Sequence, residues 1–502
     1  MTGNTLRRGG VLREGYDYDF SPADPATGAH VDPAWCAIYE TDTLADASGR
    51  LGPMLATSWK CDPDGVTWRF AVREGARYHS GAACDAAAIA AAHNLHRDPV
   101  VSPVNAFFWK AVKDVWAEDG MLVLRLHHPS AGMPRLLRSW HSGIHNQASR
   151  EAAGDDWGKT TADGTGPFVF SKIENGIVQE VRRWDEYPGT AATWFENRGP
   201  AYLDAVQWIP LLDEAERAAA LEAGEVDAIQ NPGLLDVDRL AANPDLEVIT
   251  YQQSALAYLA LDHETSALGF DDLRVRQAVS HAINREAIVE SDLGGYGWAA
   301  QGPVPSASHW YASEVERYNT YDPERSRRLL DAAGLEPNGD GVRLEFTALL
   351  LQDATLMRAA ETVRSMLGEV GIRLNLDLVE GFEAFYGAVG QHPPAFISKW
   401  LWPDPVDATI GFVTSWSHAG PNWQRASIPA IDAACRRFQE AETADQEVTA
   451  SRDIQVLSAE HLPLIPLYFP ATAWAHHRKV RGWRPTPTNL YPFYADVWLD
   501  ES

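Results

Sequence analysis

Two runs rich in strand-forming residues, "VRLEFTALLL" (Val342–Leu351) and "IRLNLDLVE" (Ile372–Glu380), flank a helical pattern around "MRAAETVRSMLGEVG". That order is a β-α-β unit, which constrains the chain more than any other local pattern because it calls for a partly parallel sheet. Amphipathic helical stretches precede it: "DDLRVRQAVSHAINREAIVES", then "DPERSRRLLDAAGL", which opens on Asp-Pro and closes at Gly334. After Tyr251 the chain therefore reads as an α/β lobe.

The first half has a different texture. "DPDGVTWRFAVREGARYHSG" reads as a hairpin or meander turning at Asp64-Gly65, followed by an Ala-rich helix with Asp85 near its start. Strand patterns return at "MLVLRLHHP" and at "GTGPFVFSKIENGIVQEVRRW", where Asn175-Gly176 supplies a second hairpin turn. Near the end, "LPLIPLYFPATAWAHHRKVRGWRP" is an extended, Pro-punctuated segment that can run back to the first lobe. No internal repeat is present.

A chain of 502 residues exceeds what one core organises, so two or three domains with a cleft are expected. The formal net charge of -27 repels phosphate backbones and anionic membranes, which excludes nucleic acid as a partner. No run of about 18 apolar residues offers a membrane span. The opening "MTGNTLRRGGVLREGYDYDF" lacks the apolar core of a secretory signal, and the stretch after Arg7-Arg8 is too polar for a twin-arginine signal. Cys36, Cys61, Cys84 and Cys435 show no C-x-x-C spacing and read as buried free thiols, with one bridge among the first three as the alternative.

Catalytic signatures are missing. No G-x-S-x-G elbow, P-loop or G-x-G-x-x-G occurs, and nothing predicts an acid-base pair for a hydrolase. His93/His96 and His141/His145 have helical spacing, and His127-His128 and His476-His477 are adjacent, yet no third ligand is spaced for a metal. "EPNGDG" (Glu336–Gly341) reads as a turn rather than a calcium loop.

Tryptophan is abundant, at 19 residues against 6 methionines. Trp59 and Trp68 suit a β core. Trp400, Trp402, Trp416 and Trp423 instead surround Pro403, Asp404, Pro405 and Asp407. Two prolines in three residues end the strand "AFISKW" and imply a loop at its C-terminal end, where open α/β sheets bind ligands. Flat aromatics beside carboxylates suit a polar ligand with an apolar face; a packed loop is the alternative. Tyr18 and Asp19 after the first strand, and Gln352 and Asp353 after "LEFTALLL", lie at strand ends suited to the same cleft, or serve as turn and cap residues.

The segment "LGPMLATSWKCDPDGVTWRFAVREGARYHSGAACDAAAIAAAHN" resembles the signature region of the family 5 solute-binding proteins of ABC importers, with Tyr78-His79-Ser80-Gly81 in a slot that usually reads Phe-His-x-Gly. "GTGPFVF", "YLDAVQWIPLLDEAERAAALEAGEVDAI", "DDLRVRQAVSHAINREAIV", "YDPERSRRLLDAAGL" and "LPLIPLY" come next, in that family's order. The resemblance implies an α/β, periplasmic-binding-protein-like two-lobed fold of class II type with an additional β-containing N-terminal domain. The division expected is 1–35, 162–252 and 473–502 for lobe I, 36–161 for the added α+β subdomain, and 253–472 for lobe II. It also implies a monomeric, non-enzymatic role without a cofactor. The protein would capture a small-molecule solute in a periplasmic or extracytoplasmic compartment and deliver it to ABC permease subunits, although this chain carries no recognisable signal peptide.

In that resemblance, peptide-binding relatives carry an aspartate three residues after a cleft Trp, pairing with the peptide's amino terminus. Three residues after Trp400 stands Pro403, and Asp404 is one step further, a shift of about 3.3 Å in an extended chain. The site residues expected are Trp400, Trp402, Asp404, Trp416, Trp423, Tyr18, Asp19 and Gln352. The expected solute is an opine-like sugar conjugate or oligosaccharide, with a short peptide as the alternative. Trp400→Ala would then abolish binding and leave the unliganded protein stable.

Overall fold

The computed structural model describes residues 8–27, 31–47, 49–102, 105–106, 109–402, 404–417, 421–489 and 491–500. The chain divides into two compact units. Unit 1 comprises Met1–Ile249, Glu440–Glu442 and Ala473–Ser502; unit 2 comprises Thr250–Gln439 and Thr443–Thr472.

Unit 1 begins with β1 (Val11–Tyr16) and a small hairpin, β2 (Thr43–Ala45) with β3 (Leu51–Pro53). Next come the four strands of an antiparallel sheet ordered β4-β5-β7-β6: β4 (Ala56–Cys61), β5 (Thr67–Val72), β6 (Val112–Glu118) and β7 (Met121–Leu126). The β4–β5 turn is the expected Asp64-Gly65 turn. The Asp64 carboxylate accepts the N–H groups of Val66 and Thr67 and the Thr67 hydroxyl, and Gly65 takes φ +73°. Across β6 and β7 lies the Ala-rich helix Ala86–His96, capped by the Asp85 carboxylate on Ala87 and Ala88 N–H. Phe70, Ile89, Leu122 and Leu124 form the core between them, with Trp59 and Trp68 half-buried at its margin.

The larger sheet of unit 1 uses β8 (Phe168–Glu174), β9 (Val178–Arg183), β10 (Ala205–Pro210) and β11 (Ala228–Gln230). β1 runs parallel to both β10 and β11, and the β8–β9 hairpin turns at Gly176, φ +69°. "GTGPFVF" enters this sheet beside the helix Pro33–Ile38. Gly166 N–H donates to Ile38 O at 2.8 Å, and a methyl group on Gly164 would overlap that same carbonyl. His79 joins this segment: its Nδ1 accepts Gly164 N–H at 3.2 Å, so Nε2 carries the proton facing Gly166 O at 3.1 Å. Burial pushes the His79 imidazole down to about 4, which keeps it neutral in that arrangement. Gly164→Ala is expected to cost unit 1 about 1–3 kcal/mol through overpacking. Urea unfolding measures this, and a change below about 0.5 kcal/mol would mean the carbonyl yields freely.

β12 (Leu246–Gln252) carries the chain past Ile249 into the residues of unit 2. There the strands are β13 (Ala255–Leu261), β14 (Gly297–Ala299), β15 (Leu344–Leu351), β16 (Ile372–Val379), β17 (Ala395–Leu401) and β18 (Ile465–His477). The β-α-β unit stands as expected: β15 and β16 pair in parallel from Leu344↔Ile372 to Leu351↔Val379, connected by the helix Ala354–Glu369. β17 pairs parallel to β15 and antiparallel to β13. The C-terminal extended segment is β18, whose Ile465–Tyr468 part pairs with β13 and whose Trp474–His476 part pairs with β11.

Two expectations are corrected. The stretch from Asp271 to Ser291 forms two helices, Leu273–His281 and Arg285–Asp292, because the Asn284 side chain accepts Ala287 N–H and starts the chain afresh. After β17, "PVDATIGFV" is the helix Pro405–Val413 rather than a continuing loop; proline is compatible with a first helical position, where no N–H bond is needed. The four cysteines are free thiols, all buried except half-buried Cys61.

Candidate functional site

The expected aromatic segment lies in unit 2. Strand alternation turns Phe396, Ser398 and Trp400 to one face of β17 and Lys399 and Leu401 to the other. Trp400 is 5% exposed, with its ring 4.3 Å from Phe412 and 5.1 Å from Tyr258, centroid to centroid. Its Nε1 has no hydrogen-bond partner among the described residues. Phe412 arrives on the helix Pro405–Val413 and also faces Trp423 at 6.3 Å, while Tyr386 lies 4.7 Å from Trp423. Tyr386 OH stands 3.2 Å from Ser398 Oγ, and burial raises the phenol's pKa, keeping it protonated. Trp400 and Trp423 are thus joined through Phe412 in one aromatic cluster.

Asp404 begins that helix. Its Oδ1 accepts Val406 N–H at 2.9 Å and Asp407 N–H at 3.3 Å, and its Oδ2 accepts Trp310 Nε1–H at 3.3 Å; only 4% of the residue is exposed. Both carboxylate oxygens therefore serve the chain itself. Trp402 is half-buried, and its N–H donates to Ser254 O at 2.9 Å. Trp416 is half-buried in the short turn Ser415–Ser417, with the Arg436 guanidinium 4.9 Å from its ring centroid. Pro403 lies outside the described residues.

Gln352 directly succeeds β15 and is exposed, its N–H donating to Val379 O at 3.2 Å. The next residue, Asp353, caps the helix Ala354–Glu369 through Leu356 N–H and receives Lys399 Nζ at 2.5 Å. Burial alone would raise the Asp353 pKa; the Lys399 charge and hydrogen bond outweigh it and hold the carboxyl below its ordinary range. The reading from sequence missed Lys399. Its signal was a lone cation inside the apolar run "AFISKWL", which requires an anionic partner. Tyr386, Phe412 and Trp310 were missed as well, since ordinary helix and loop aromatics carry no distinguishing spacing.

Tyr18 and Asp19 belong to unit 1, just beyond β1. Tyr18 is 37% exposed, and the Asp19 carboxylate accepts N–H groups of Phe20 and Gly176. Glu336–Gly341 is a turn in which Asn338 Oδ1 accepts Asp340 and Val342 N–H. Among the described residues no cluster of three or more His, Cys, Asp or Glu side chains could hold a metal, and no helix is long and apolar enough to cross a membrane.

Residues 50–423 match the family model of bacterial extracellular solute-binding proteins, family 5. The di/tripeptide-binding protein 2 of Pseudomonas aeruginosa (strain UCBPP-PA14) is 25% identical over 96% of this chain and 93% of its own length. Among solved structures, the periplasmic binding protein DppA from Helicobacter pylori in complex with the peptide STSA superposes with a TM-score of 0.82 at 21% identity, covering 99% of each chain. AgaA of A. tumefacien R10, in complex with agropinic acid, superposes with a TM-score of 0.82 at 21% identity, covering 98% of this chain and 99% of its own.

Proposed function

Because the chain belongs to the bacterial extracellular solute-binding proteins of family 5, we propose that it is the substrate-binding component of an ABC importer, capturing a small polar solute outside the cytoplasmic membrane. It works as a monomer, hands the solute to permease subunits in the membrane, and leaves it chemically unchanged. The solute class we assign is an opine-like sugar conjugate or oligosaccharide.

One observation carries that assignment. Asp404 is 4% exposed and uses both oxygens, in the helix cap and on Trp310, so a free peptide ammonium received there would compete with those donors and lose most of its water. A buried carboxylate already satisfied by three donors gains little from a fourth partner and loses helix stability if it turns away. Half-buried Trp402, Trp416 and Trp423 offer ring faces for the flat side of a sugar, with exposed Gln352 as a hydrogen-bonding group. Tyr18 and Asp19 are separate candidates within unit 1; within unit 2, Trp400 and Asp404 act as supporting residues, buried in the aromatic cluster and in the helix cap. The short-peptide alternative draws on the likeness to the di/tripeptide-binding relative.

A melting-shift screen tests this with agropinic acid, mannopinic acid, maltotriose, Met-Leu and glutathione. At a hundredfold excess over Kd a bound solute stabilises by about 2.7 kcal/mol, which for units of this size is about 5–10 °C in Tm. The expected hit is an opine or the oligosaccharide, recovered intact by mass spectrometry. A shift with Met-Leu or glutathione alone defeats the sugar-conjugate assignment, and recovery of a cleaved or altered solute defeats the binding-only role.

A further inference from the structure

The histidine pairs noted in the sequence converge in unit 1. His93 and His96 on the helix Ala86–His96 and His145 just after the turn Trp140–Ser142 are all 0% exposed, with ring centroids 6.1 Å apart for His93–His96 and 5.3 Å for His96–His145. His96 Nε2 and His145 Nδ1 address the same acceptor, Gly143 O, at 3.2 and 3.4 Å; His145 Nε2 lies 3.3 Å from Gln147 Oε1. His93 Nε2 lies 2.7 Å from Asp42 Oδ2, and the Nδ1 atoms of His93 and His96 are buried with no hydrogen-bond partner among the described residues. Half-buried His141 faces the group from the 140–142 turn, and Asp24 and Arg150, joined at 3.0 Å, stand on the His145 side.

We propose that His96 and His145 form an acid-responsive clasp that holds the 140–147 segment against the helix Ala86–His96 while these two rings are neutral and lets that contact open locally when they take up protons.

The shared carbonyl is the centre of the clasp. Neutral His96 can give Gly143 O one N–H, and neutral His145 can give its single N–H to Gly143 O or to Gln147 Oε1; in the Nδ1–H tautomer of His145 the carbonyl's two lone pairs receive both rings. Adding charge to His96 places a cation between two other imidazoles, with His93 and His145 on either side and no carboxylate bonded to its own ring. Burial, then the neighbouring histidines, pushes His96 well below its usual range, and burial lowers His145 despite Asp24. His96 and His145 therefore each bind a proton more readily once the contact opens. Between the unfolded value near 6.5 and the depressed closed value, the opening constant rises up to tenfold per pH unit for each released ring. The segment at stake is closely fitted, since a side chain on Gly143 would press on Pro25, Tyr39 and Trp140 O. Its release loosens the added α+β region without involving the sheet of unit 2.

Native-state amide exchange on the whole chain tests this, with rates corrected for the intrinsic pH dependence. From pH 6 to pH 5, protection of residues 86–96 and 140–147 is expected to fall by up to about 100-fold, the limit set by two tenfold steps, while the helix Ala354–Glu369 changes little. His96→Gln and His145→Gln should each make the fall clearly smaller, to no more than about tenfold. If either variant fails to fold, nitrogen-15 NMR of the wild-type rings decides, with His96 and His145 expected neutral at pH 6 in the closed protein. Equal loss of protection in both units, an undiminished fall in folded variants, or rings already charged at pH 6 would each overturn the clasp.

Discussion

Glu14→Gln is expected to make the protein more stable than wild type at pH 9 and to leave it nearly unchanged at pH 4.5. Glu14 on β1 is 0% exposed; Oε2 accepts Trp208 Nε1–H and Tyr494 OH, each at 2.9 Å, while Oε1 is buried with no hydrogen-bond partner among the described residues. Burial pushes this carboxyl up to about 8, against the opposing pull of those two donors and with a small further push from Asp17. In the unfolded chain the group ionises near 4.5. Between pH 4.5 and 8 the folded state therefore holds a proton the unfolded state has lost, and stability declines as pH rises through that window. At about 1.4 kcal/mol per pH unit, the wild-type decline from this group is of order 5 kcal/mol. Glutamine has the same shape, accepts the same two donors and cannot ionise, so its stability curve lacks that decline. Asp32, 0% exposed and raised to about 7 mainly by burial, adds a similar fall between roughly pH 4 and 7 in both proteins. Urea titrations at pH 5 and pH 9 settle the matter: parallel curves for the two proteins would show that Glu14 is ionised in the fold.

The second large effect is Trp400→Ala, expected to cost unit 2 about 3–5 kcal/mol without any solute present. This replaces the expectation, drawn from the sequence, of an unliganded protein left intact. The indole fills the space between Tyr258 and Phe412, and deleting it leaves a cavity that a central strand, paired on both sides by β13 and β15, cannot collapse to close. Trp400→Phe is the control. It keeps most of the ring volume and removes an N–H that has no acceptor among the described residues, so its cost should stay below about 1.5 kcal/mol. If alanine proves as mild as phenylalanine, the ring is not part of the core and a ligand-facing role for it regains ground.

These cases show which signals local sequence carries. Asp64-Gly65, Asp85, Asn175-Gly176 and the β-α-β run 342–380 were legible because each is decided within a few residues, by a cap, a positive φ or a hydrophobic period. Composition also pointed to the aromatic segment. It could not separate Trp400 from Trp402, two residues apart on the same face of an extended chain, because burial depends on what the helix Pro405–Val413 lays against the strand. That helix was hidden by a proline reading that weighed helix interiors and overlooked the first turn. Likewise, histidine spacing placed two imidazoles on one helical face. Their partners, the Gly143 carbonyl and Asp42, come from segments 47 and 51 residues away, beyond any periodic pattern.

The cap formed by Asp404 also sets a rule for anyone wishing to re-engineer this protein toward peptides. The obvious carboxylate is already engaged, so a new acid must be supplied rather than an old one freed. Gln352, exposed just after β15 and bonded through its main-chain N–H to Val379 O, is the place to install it, since exchanging that side chain disturbs neither the helix start nor the indole, whereas Leu401 lies on the face of β17 opposite Trp400.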